Sequence, residues 1–132
     1  MSLANGTTVG RIRGTSAQSR ETIVATLDAI DGLTGYPSAP EQATAGAAWP
    51  KRIQTTYAGH LSPAGDVTTW EVYVVLPDDY AATTVDEGDA LCDLVAPELV
   101  RLGSVAYSEP IRIMFNENQS MPGIRFRMTT KR

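Results

Sequence analysis

The side chains that could catalyse a reaction are few in this sequence, and the first of them is its single histidine, His60. An imidazole can act as a general acid or base, or as a metal ligand. His60 lies between Gly59 and Leu61, with no carboxylate at a spacing that would orient it or complete a metal site. A loop histidine without such a partner is typical of a solvent-exposed position, so the pattern argues against catalysis at His60.

A group of carboxylates between residues 78 and 89 is the second candidate for chemistry, because carboxylate oxygens bind Ca²⁺ and Mg²⁺. Their spacing lacks the ligand positions and the turn glycine of a calcium loop. Thr84 and Glu87 instead have the spacing of a helix capping box, and acids in a first helical turn interact favourably with the helix dipole. A helix start therefore explains the group better than a cation site does. Its members are Asp78, Asp79, Asp86, Glu87 and Asp89.

The single cysteine, Cys92, excludes an intrachain disulfide and a cysteine cluster for a metal. It lies between Leu91 and Leu94 in a predicted helix, where cysteine packs as a small hydrophobic residue. The sequence has no glycine-rich phosphate loop, nucleophile elbow, zinc spacing or dinucleotide fingerprint. We therefore expect no enzyme activity, no cofactor and no metal. A small enzyme or ligand-binding domain, whose residues meet only in the fold, is the alternative.

The composition indicates one folded domain. Of the 132 residues, 42% are hydrophobic and 20% are charged, which is ordinary for a globular chain. The formal net charge of −4 argues against a dedicated nucleic-acid-binding protein, which usually has a basic face. No apolar run is long enough to span a bilayer, and the N-terminus lacks the apolar core of a signal peptide. We therefore expect no membrane association and synthesis inside the cell.

Residues 68–103 organise the predicted fold. From residue 70 to residue 76, apolar side chains alternate with Glu71 and Tyr73, and this period of two predicts a strand. Pro77 ends the strand, because proline cannot donate to the ladder. Both faces of this segment are partly apolar, so we expect a central strand that is covered on both sides.

The second helix is expected to begin at Thr84 and to end at Gly103, a residue type common after the last helical turn. Pro97 interrupts the pattern, because proline lacks the backbone N–H and clashes with the preceding turn. We expect a kink near Asp93, or a break and a restart at Pro97. An apolar stripe on this helix packs on the core or, less readily, on a partner: Leu91, Leu94, Val95, Leu99 and Leu102.

A helix and a hairpin precede these elements. Residues 16–30 have the amphipathic pattern of a helix that covers a sheet. Residues 36–49, rich in proline, glycine and alanine, are predicted to form a long loop. Residues 51–76 are predicted to form a β-hairpin with its turn at 62–66 and with His60, Leu61 and Asp66 at its tip.

Two further strands are predicted at 111–115 and 124–129, joined by a polar turn at 116–120. If these strands pair, the basic residues between their apolar positions share an outer face of the sheet. That face is either solvated or an intersubunit surface that binds the acids of a neighbour. Its members are Arg112, Arg125, Arg127, Lys131 and Arg132.

The predicted order is helix, hairpin, helix, hairpin. This order gives an α+β fold, with a mainly antiparallel sheet of about four strands and two helices packed on one face. Residues 16–132 form this single domain. Residues 1–15 lack any hydrophobic period and are expected to be a flexible N-terminal arm.

The sequence carries four further informative segments. They are Arg-Glu-Thr-Ile-Val-Ala-Thr-Leu-Asp-Ala-Ile at 20–30, Trp-Glu-Val-Tyr-Val-Val-Leu-Pro at 70–77, Val-Asp-Glu-Gly-Asp-Ala-Leu-Cys-Asp-Leu-Val at 85–95 and Met-Pro-Gly-Ile-Arg-Phe-Arg-Met at 121–128. In style and order, the chain from about residue 16 to about residue 130 resembles the tail terminator proteins of long-tailed, siphovirus-like bacteriophages. Neck proteins of the same phages share this size and element order.

The resemblance implies a virion protein at the tail–neck junction, assembled in the host cytoplasm. Such proteins form a ring, usually hexameric, that caps the tail tube, stops its polymerisation and joins the tail to the head–neck complex. The implied partners are other copies of the chain, the tail tube protein and a neck or head–tail connector protein, with DNA only passing through the lumen. An edge strand of each subunit could pair with its neighbour. The alternative is another neck component, a head–tail stopper or adaptor.

The contacts of this ring are expected in the arm, the 36–49 loop, the hairpin tip and the basic outer face, because these parts should be exposed. The residues are Arg11, Arg13, Trp49, Tyr57, His60, Leu61, Asp66, Arg112, Arg125 and Arg127.

Overall fold

The structure, a computed structural model, describes residues 15–42, 44–57, 65–77 and 81–131. Most of the predicted arm and the tip of the predicted hairpin lie outside these ranges. The predicted residues that also lie outside them are Arg11, Arg13, His60, Leu61, Asp78, Asp79 and Arg132.

The described elements are two helices and five strands. They are α1 (Thr15–Asp28), β1 (Thr34–Gly35), β2 (Ala47–Thr56), β3 (Val67–Val75), α2 (Ala81–Val100), β4 (Ser104–Asn116) and β5 (Gln119–Lys131). The strands form one sheet in the order β1-β2-β3-β5-β4, in which β1 is parallel to β2 and the other neighbours are antiparallel. The α+β class and the order of the long elements are confirmed. The sheet, however, has five strands and is mixed, because β1 pairs in parallel with β2. This strand was not predicted, since its two residues are too few to show a strand period.

Both helices pack on the same face of the sheet, as predicted. On this helix-covered face, Trp70, Phe126 and Met128 are each 0% exposed. Full burial of a large apolar side chain stabilises the fold by roughly 1.5–3 kcal/mol. The indole Nε1 of Trp70 donates to Thr130 Oγ1 at 3.0 Å, so its buried N–H has a partner. The helices contribute Ile23 and Leu27 from α1 and Val95 and Leu99 from α2, and Ile30, just after α1, joins them.

The helix α2 begins one turn earlier than predicted, at Ala81. Thr84 therefore lies inside the first turn, and the predicted capping box is wrong. The helix-dipole explanation for the acids that follow is also wrong, because the first turn holds no acidic residue. Ala81 and Ala82, of the residue type that favours helix most, extend the helix beyond the capping signal.

Pro97 lies inside α2 without ending it, so the expected break and restart at this residue is wrong. The proline costs about 3 kcal/mol in a helix interior. Val95 and Leu99, on either side of it, are both 0% exposed, and their burial against the sheet offsets this cost. The apolar stripe is narrower than predicted, because Leu94 is 48% exposed.

The strand β2 starts earlier than predicted, at Ala47, so the long loop is shorter than expected. Trp49 lies within this strand and is only 5% exposed, which corrects its placement in an exposed loop. Gly46 makes the turn into β2 with a φ of 83°, in the left-handed region that favours glycine.

Pro50 in β2 and Pro110 in the edge strand β4 both direct their backbone nitrogen, which lacks a hydrogen, away from the long strand beside them. In β2, Ala48 accepts a bond from Tyr36 on the β1 side, so Pro50, two residues later, faces the same way. In β5, the carbonyl of Pro122 accepts from Leu76, just after β3, so the backbone polar groups of Pro122 face away from its partner in β4, Arg112. Those of Arg112 therefore face outward, and so does the backbone of Pro110, two residues earlier. Pro110 therefore interrupts the outer edge of β4 as a template for another strand.

Candidate contact surface on the open sheet face

The face of the sheet opposite the helices, here called the open face, is formed by the odd-numbered residues of the two central strands, β3 and β5. The predicted cover on both sides of β3 is therefore wrong for the described elements, because both helices lie on the other face. The open face nevertheless buries side chains: Glu71 is 8% exposed and Val75 is 1% exposed. Among the described residues, neighbouring side chains rather than a helix bury them.

An apolar cluster occupies one end of the open face. Its buried centre is Ala47, Trp49, Val75 and Ile113. The Trp49 ring stacks on Tyr73, with centroids 5.6 Å apart and planes at 21°, and meets Phe115 edge-on at 6.0 Å and 66°. Aromatic pairs in these geometries add about 0.5–1.5 kcal/mol beyond area burial. Tyr36, Ile111 and Met121 border the cluster.

The register of β4 on β5 brings Ile111 and Ile113 to this face. The two strands are joined by a short turn, and Arg112 lies opposite Pro122 while Ile113 lies opposite Met121. Residues directly opposite each other share a face. The predicted common basic face is therefore wrong for Arg112, which lies on the opposite side of the sheet from Arg125.

The middle of the open face holds an ion-pair network centred on Glu71. One carboxylate oxygen, Oε1, accepts from the Tyr73 hydroxyl at 2.6 Å. The other, Oε2, accepts from Arg127 Nη1 at 3.0 Å and lies 3.9 Å from Arg125 Nη1. Arg125 Nη2 also donates to Glu109 Oε1 in a short contact. The acids that pair with these arginines belong to the same chain, so binding of Arg125 and Arg127 to a neighbour's acids stays a prediction.

The network changes the proton affinity of two of its members. Burial raises the pKa of Tyr73 above its ordinary value, and the hydrogen bond to Glu71 raises it further. The hydrogen bond to Glu109 raises the pKa of Arg125, so this guanidinium is fully charged. The buried Nε of Arg125 has no hydrogen-bond partner in the part of the chain that the structure describes. Together these contacts hold the network as a fixed, charged centre.

A groove of about 720 Å³ crosses the open face. Each long strand lines it: Trp49 from β2, Tyr73 from β3, Arg125 from β5 and Ile111 from β4. No carboxylate of the described residues lines this groove. The cations that line it are Arg20, Lys51, Arg52, Arg112 and Arg125. Arg52 lies opposite Trp70 and Arg112 lies opposite Pro122, so these two belong to the helix-covered side and border the groove at the edges of the sheet.

Three of the groove cations lie at its β2 end and have no acid partner among residues 15–42, 44–57, 65–77 and 81–131. Arg20 donates to the carbonyl oxygens of Pro37 at 2.7 Å and Pro50 at 3.2 Å, and lies over the Trp70 ring at 5.2 Å. These contacts orient its guanidinium but do not neutralise it. Lys51 lies opposite Glu71 on the open face, whereas Arg52 lies opposite Trp70 and borders the groove at the β2 edge. Both side chains are exposed. This end of the groove is therefore positive.

The structure brings together some of the predicted contact residues and separates others. Trp49 and Arg125 both line the groove. Tyr57 is 71% exposed near the end of β2, and Asp66 is half-buried before β3, away from the groove lining. Sequence reasoning missed the acids of the network and the cations of β2. The one available signal was Glu71, a carboxylate inside an otherwise apolar strand. The missed residues are Glu71, Glu109, Arg20, Lys51 and Arg52.

Comparison with known proteins identifies no family for this chain, because its sequence matches no protein-family model and no curated protein. Among the described side chains, no group of three His, Cys, Asp or Glu is arranged to hold a metal ion. Neither described helix has the length and apolar character needed to cross a membrane. The open face is the candidate site because it combines a groove, an aromatic cluster and positive charge.

Proposed function

We propose that this chain is a structural protein of a long-tailed bacteriophage that forms a closed ring of identical subunits, six in the form that the resemblance implies. The ring caps the tail tube, stops its polymerisation and joins the tail to the head–neck complex at the tail–neck junction. Its partners are further copies of the chain, the tail tube protein and a neck protein, and DNA only passes through the lumen. The helix–hairpin–helix–hairpin order of the long elements, on which the resemblance depends, supports this proposal.

The open face carries the proposal. Its groove combines the aromatic residues Trp49 and Tyr73 with arginine, and aromatic residues and arginine are the types enriched at the centres of protein interfaces. Its apolar cluster packs beside cations that have no acid partner in the described chain. Such a face is suited to contact with another protein.

A ring requires a heterologous contact, in which two different surfaces of the subunit meet and the rotation closes. Pro110 interrupts the outer edge of β4, so pairing of whole edge strands is unfavourable there. A contact through the open face avoids this interruption. The sheet face, rather than its edge, is therefore the surface that we place in the ring.

The test is electron microscopy of phage lysates made without this protein. Overlong tails that lack heads are expected, because nothing would stop the growth of the tube. Supplying the wild-type chain from a plasmid should restore tails of uniform length that carry heads. Tails of normal length joined to full heads, in the absence of the protein, would refute the proposal.

The same micrographs separate the alternative role. A head–tail stopper or adaptor acts after the tail is complete, so its loss leaves tails of normal length beside detached, filled heads. That result would move the protein from the end of the tube into the neck.

A further inference from the structure

We propose that the positive end of the groove on one subunit binds the outer face of α2 of a second copy of this chain. This inference rests on the proposed ring, because it names the two surfaces that meet in it. The groove side consists of Arg20, Lys51 and Arg52. The helix side, here called the acidic strip, consists of Asp86, Asp89 and Asp93.

The acidic strip lies on one line along α2. Its members are spaced three and four residues apart, which places them on the same side of a helix. Val95 and Leu99, which face the sheet, lie on the opposite side, so the strip points away from the core. All three carboxylates are exposed, and none forms an ion pair with another residue of the described chain. Val100, 58% exposed, adds apolar surface beside the strip.

The two surfaces match in charge and in size. Three cations and three carboxylates, each without an oppositely charged partner among the described residues, would neutralise each other on contact. Four strands at a spacing of about 4.8 Å give the open face a width of about 14 Å, and a helix with its side chains is about 10–12 Å wide. The open face is therefore wide enough to hold one α2 helix against its strands.

The arrangement of the surfaces favours a ring rather than a two-fold dimer. The positive end of the groove lies at the β2 side of the sheet, whereas α2 contacts β4 and β5 at the other side, so one subunit can use both surfaces at once for two different neighbours. Such head-to-tail contacts close into a ring when the rotation per subunit divides a full turn. The positive end of the groove of each copy is then covered by the α2 helix of the next.

Charge reversal tests this contact in the purified chain. One variant carries Lys51→Glu and Arg52→Glu, and a second carries Asp89→Lys and Asp93→Lys. Sedimentation at low salt measures self-association, which should weaken at least tenfold in each variant because attraction becomes repulsion. Added salt should weaken the wild-type association, since the charges are exposed. Glu117→Lys, in the β4–β5 turn, is the control and should associate as the wild type does.

Recombination of the reversed surfaces gives the decisive result. The chain with all four substitutions keeps the wild-type net charge of −4 and should recover self-association. A mixture of the two double variants should also associate, because each supplies the surface that the other needs. An unchanged urea midpoint confirms that every variant is folded, since the substituted side chains are exposed.

Three outcomes would overturn the inference. They are a wild-type chain that stays monomeric up to about 1 mM, double variants that associate as the wild type does, or a folded fourfold variant that does not recover. If Lys51→Glu with Arg52→Glu abolished binding of a single-stranded oligonucleotide and left self-association intact, the groove would be a nucleic-acid site instead. None of these results depends on tail length, so the tail-terminator role can fail or hold independently.

Discussion

The two faces of the sheet are built by the same alternation of side chains but are completed differently. On the helix-covered face, Trp70 and Phe126 are fully buried by α1 and α2. On the open face, no described helix covers the Trp49 cluster or the Glu71 network, and the cations beside them have no acid partner in the described chain. The chain thus satisfies one face by itself, whereas the other retains apolar surface and charge that a second protein can cover.

This difference separates stability from contact. Residues of the helix-covered face should determine the free energy of unfolding, and exposed residues of the open face should determine association. Substitutions on the two faces should therefore have distinct effects. Four measurements test this, in order of decreasing expected change in the free energy of unfolding.

The largest expected effect is on the helix-covered face. Phe126→Ala should lower the free energy of unfolding by about 3–5 kcal/mol, because it removes a fully buried ring and leaves a cavity. Phe115→Ala, the matched change in the open-face cluster, should cost less, because Phe115 is only partly buried. Urea denaturation measures both. Equal losses of unfolding free energy would show that side chains of the open face are packed as tightly as those of the helix-covered face.

The next effect tests the charged network. Glu71→Gln should destabilise the fold by about 1–3 kcal/mol, because Arg127 and Arg125 lose a buried charged acceptor. Glu98→Gln is the control: its pair with Arg101 is 3.4 Å long, but the arginine side chain is 75% exposed. Exposed pairs contribute little, so this change should cost less than about 1 kcal/mol. A neutral Glu71→Gln would mean that the network adds nothing to the fold.

A smaller effect should appear as a change in pH dependence. Burial, and then Glu71, raise the pKa of Tyr73 above its ordinary 10.0. The stabilisation linked to this shift is complete below the unfolded-state pKa and is lost as pH rises through the higher folded-state pKa. Above about pH 10, the wild type should therefore lose more stability than Tyr73→Phe, which at neutral pH should cost only about 0.5–1.5 kcal/mol.

Tyr57→Phe is the control for this experiment, because the Tyr57 side chain is 71% exposed. Its unfolding curves should follow the wild type across the whole pH range. If Tyr73→Phe did the same, the hydroxyl of Tyr73 would not be held by the network.

The smallest expected effect is a gain in stability. Gly88 lies inside α2, and a Cβ there would meet Ile124 Cδ1 at 3.4 Å, an ordinary contact. Gly88→Ala should stabilise the fold by about 0.5–1 kcal/mol, because alanine favours helix over glycine. Gly103→Ala should destabilise it, since a Cβ at that position would collide with the Thr129 carbonyl oxygen. Thermal unfolding distinguishes the two signs.

The long, strongly periodic elements of this fold could be predicted from sequence. The strand around Trp70 and the helix from residue 15 follow from hydrophobic spacing alone. The start of α2 could not be predicted, because the local capping signal at Thr84 competes with helix-forming alanines before it. The burial of Trp49 was hidden by the loop-like residues that precede it.

The open face itself could not be predicted, because it depends on strand register. Ile111 and Ile113 alternate with Arg112, and this pattern fits either face of the sheet equally well. A shift of one residue moves every side chain of a strand to the other face. The observed register places the isoleucines beside Trp49 and removes Arg112 from the face of Arg125.

The most direct test of the open face as the assembly surface is tail length in lysates in which a plasmid supplies the only copy of the protein. With Lys51→Glu and Arg52→Glu, overlong tails without heads are expected, and adding Asp89→Lys and Asp93→Lys to the same chain should restore normal tails. Normal tails from the chain that carries only the two groove substitutions would contradict the account.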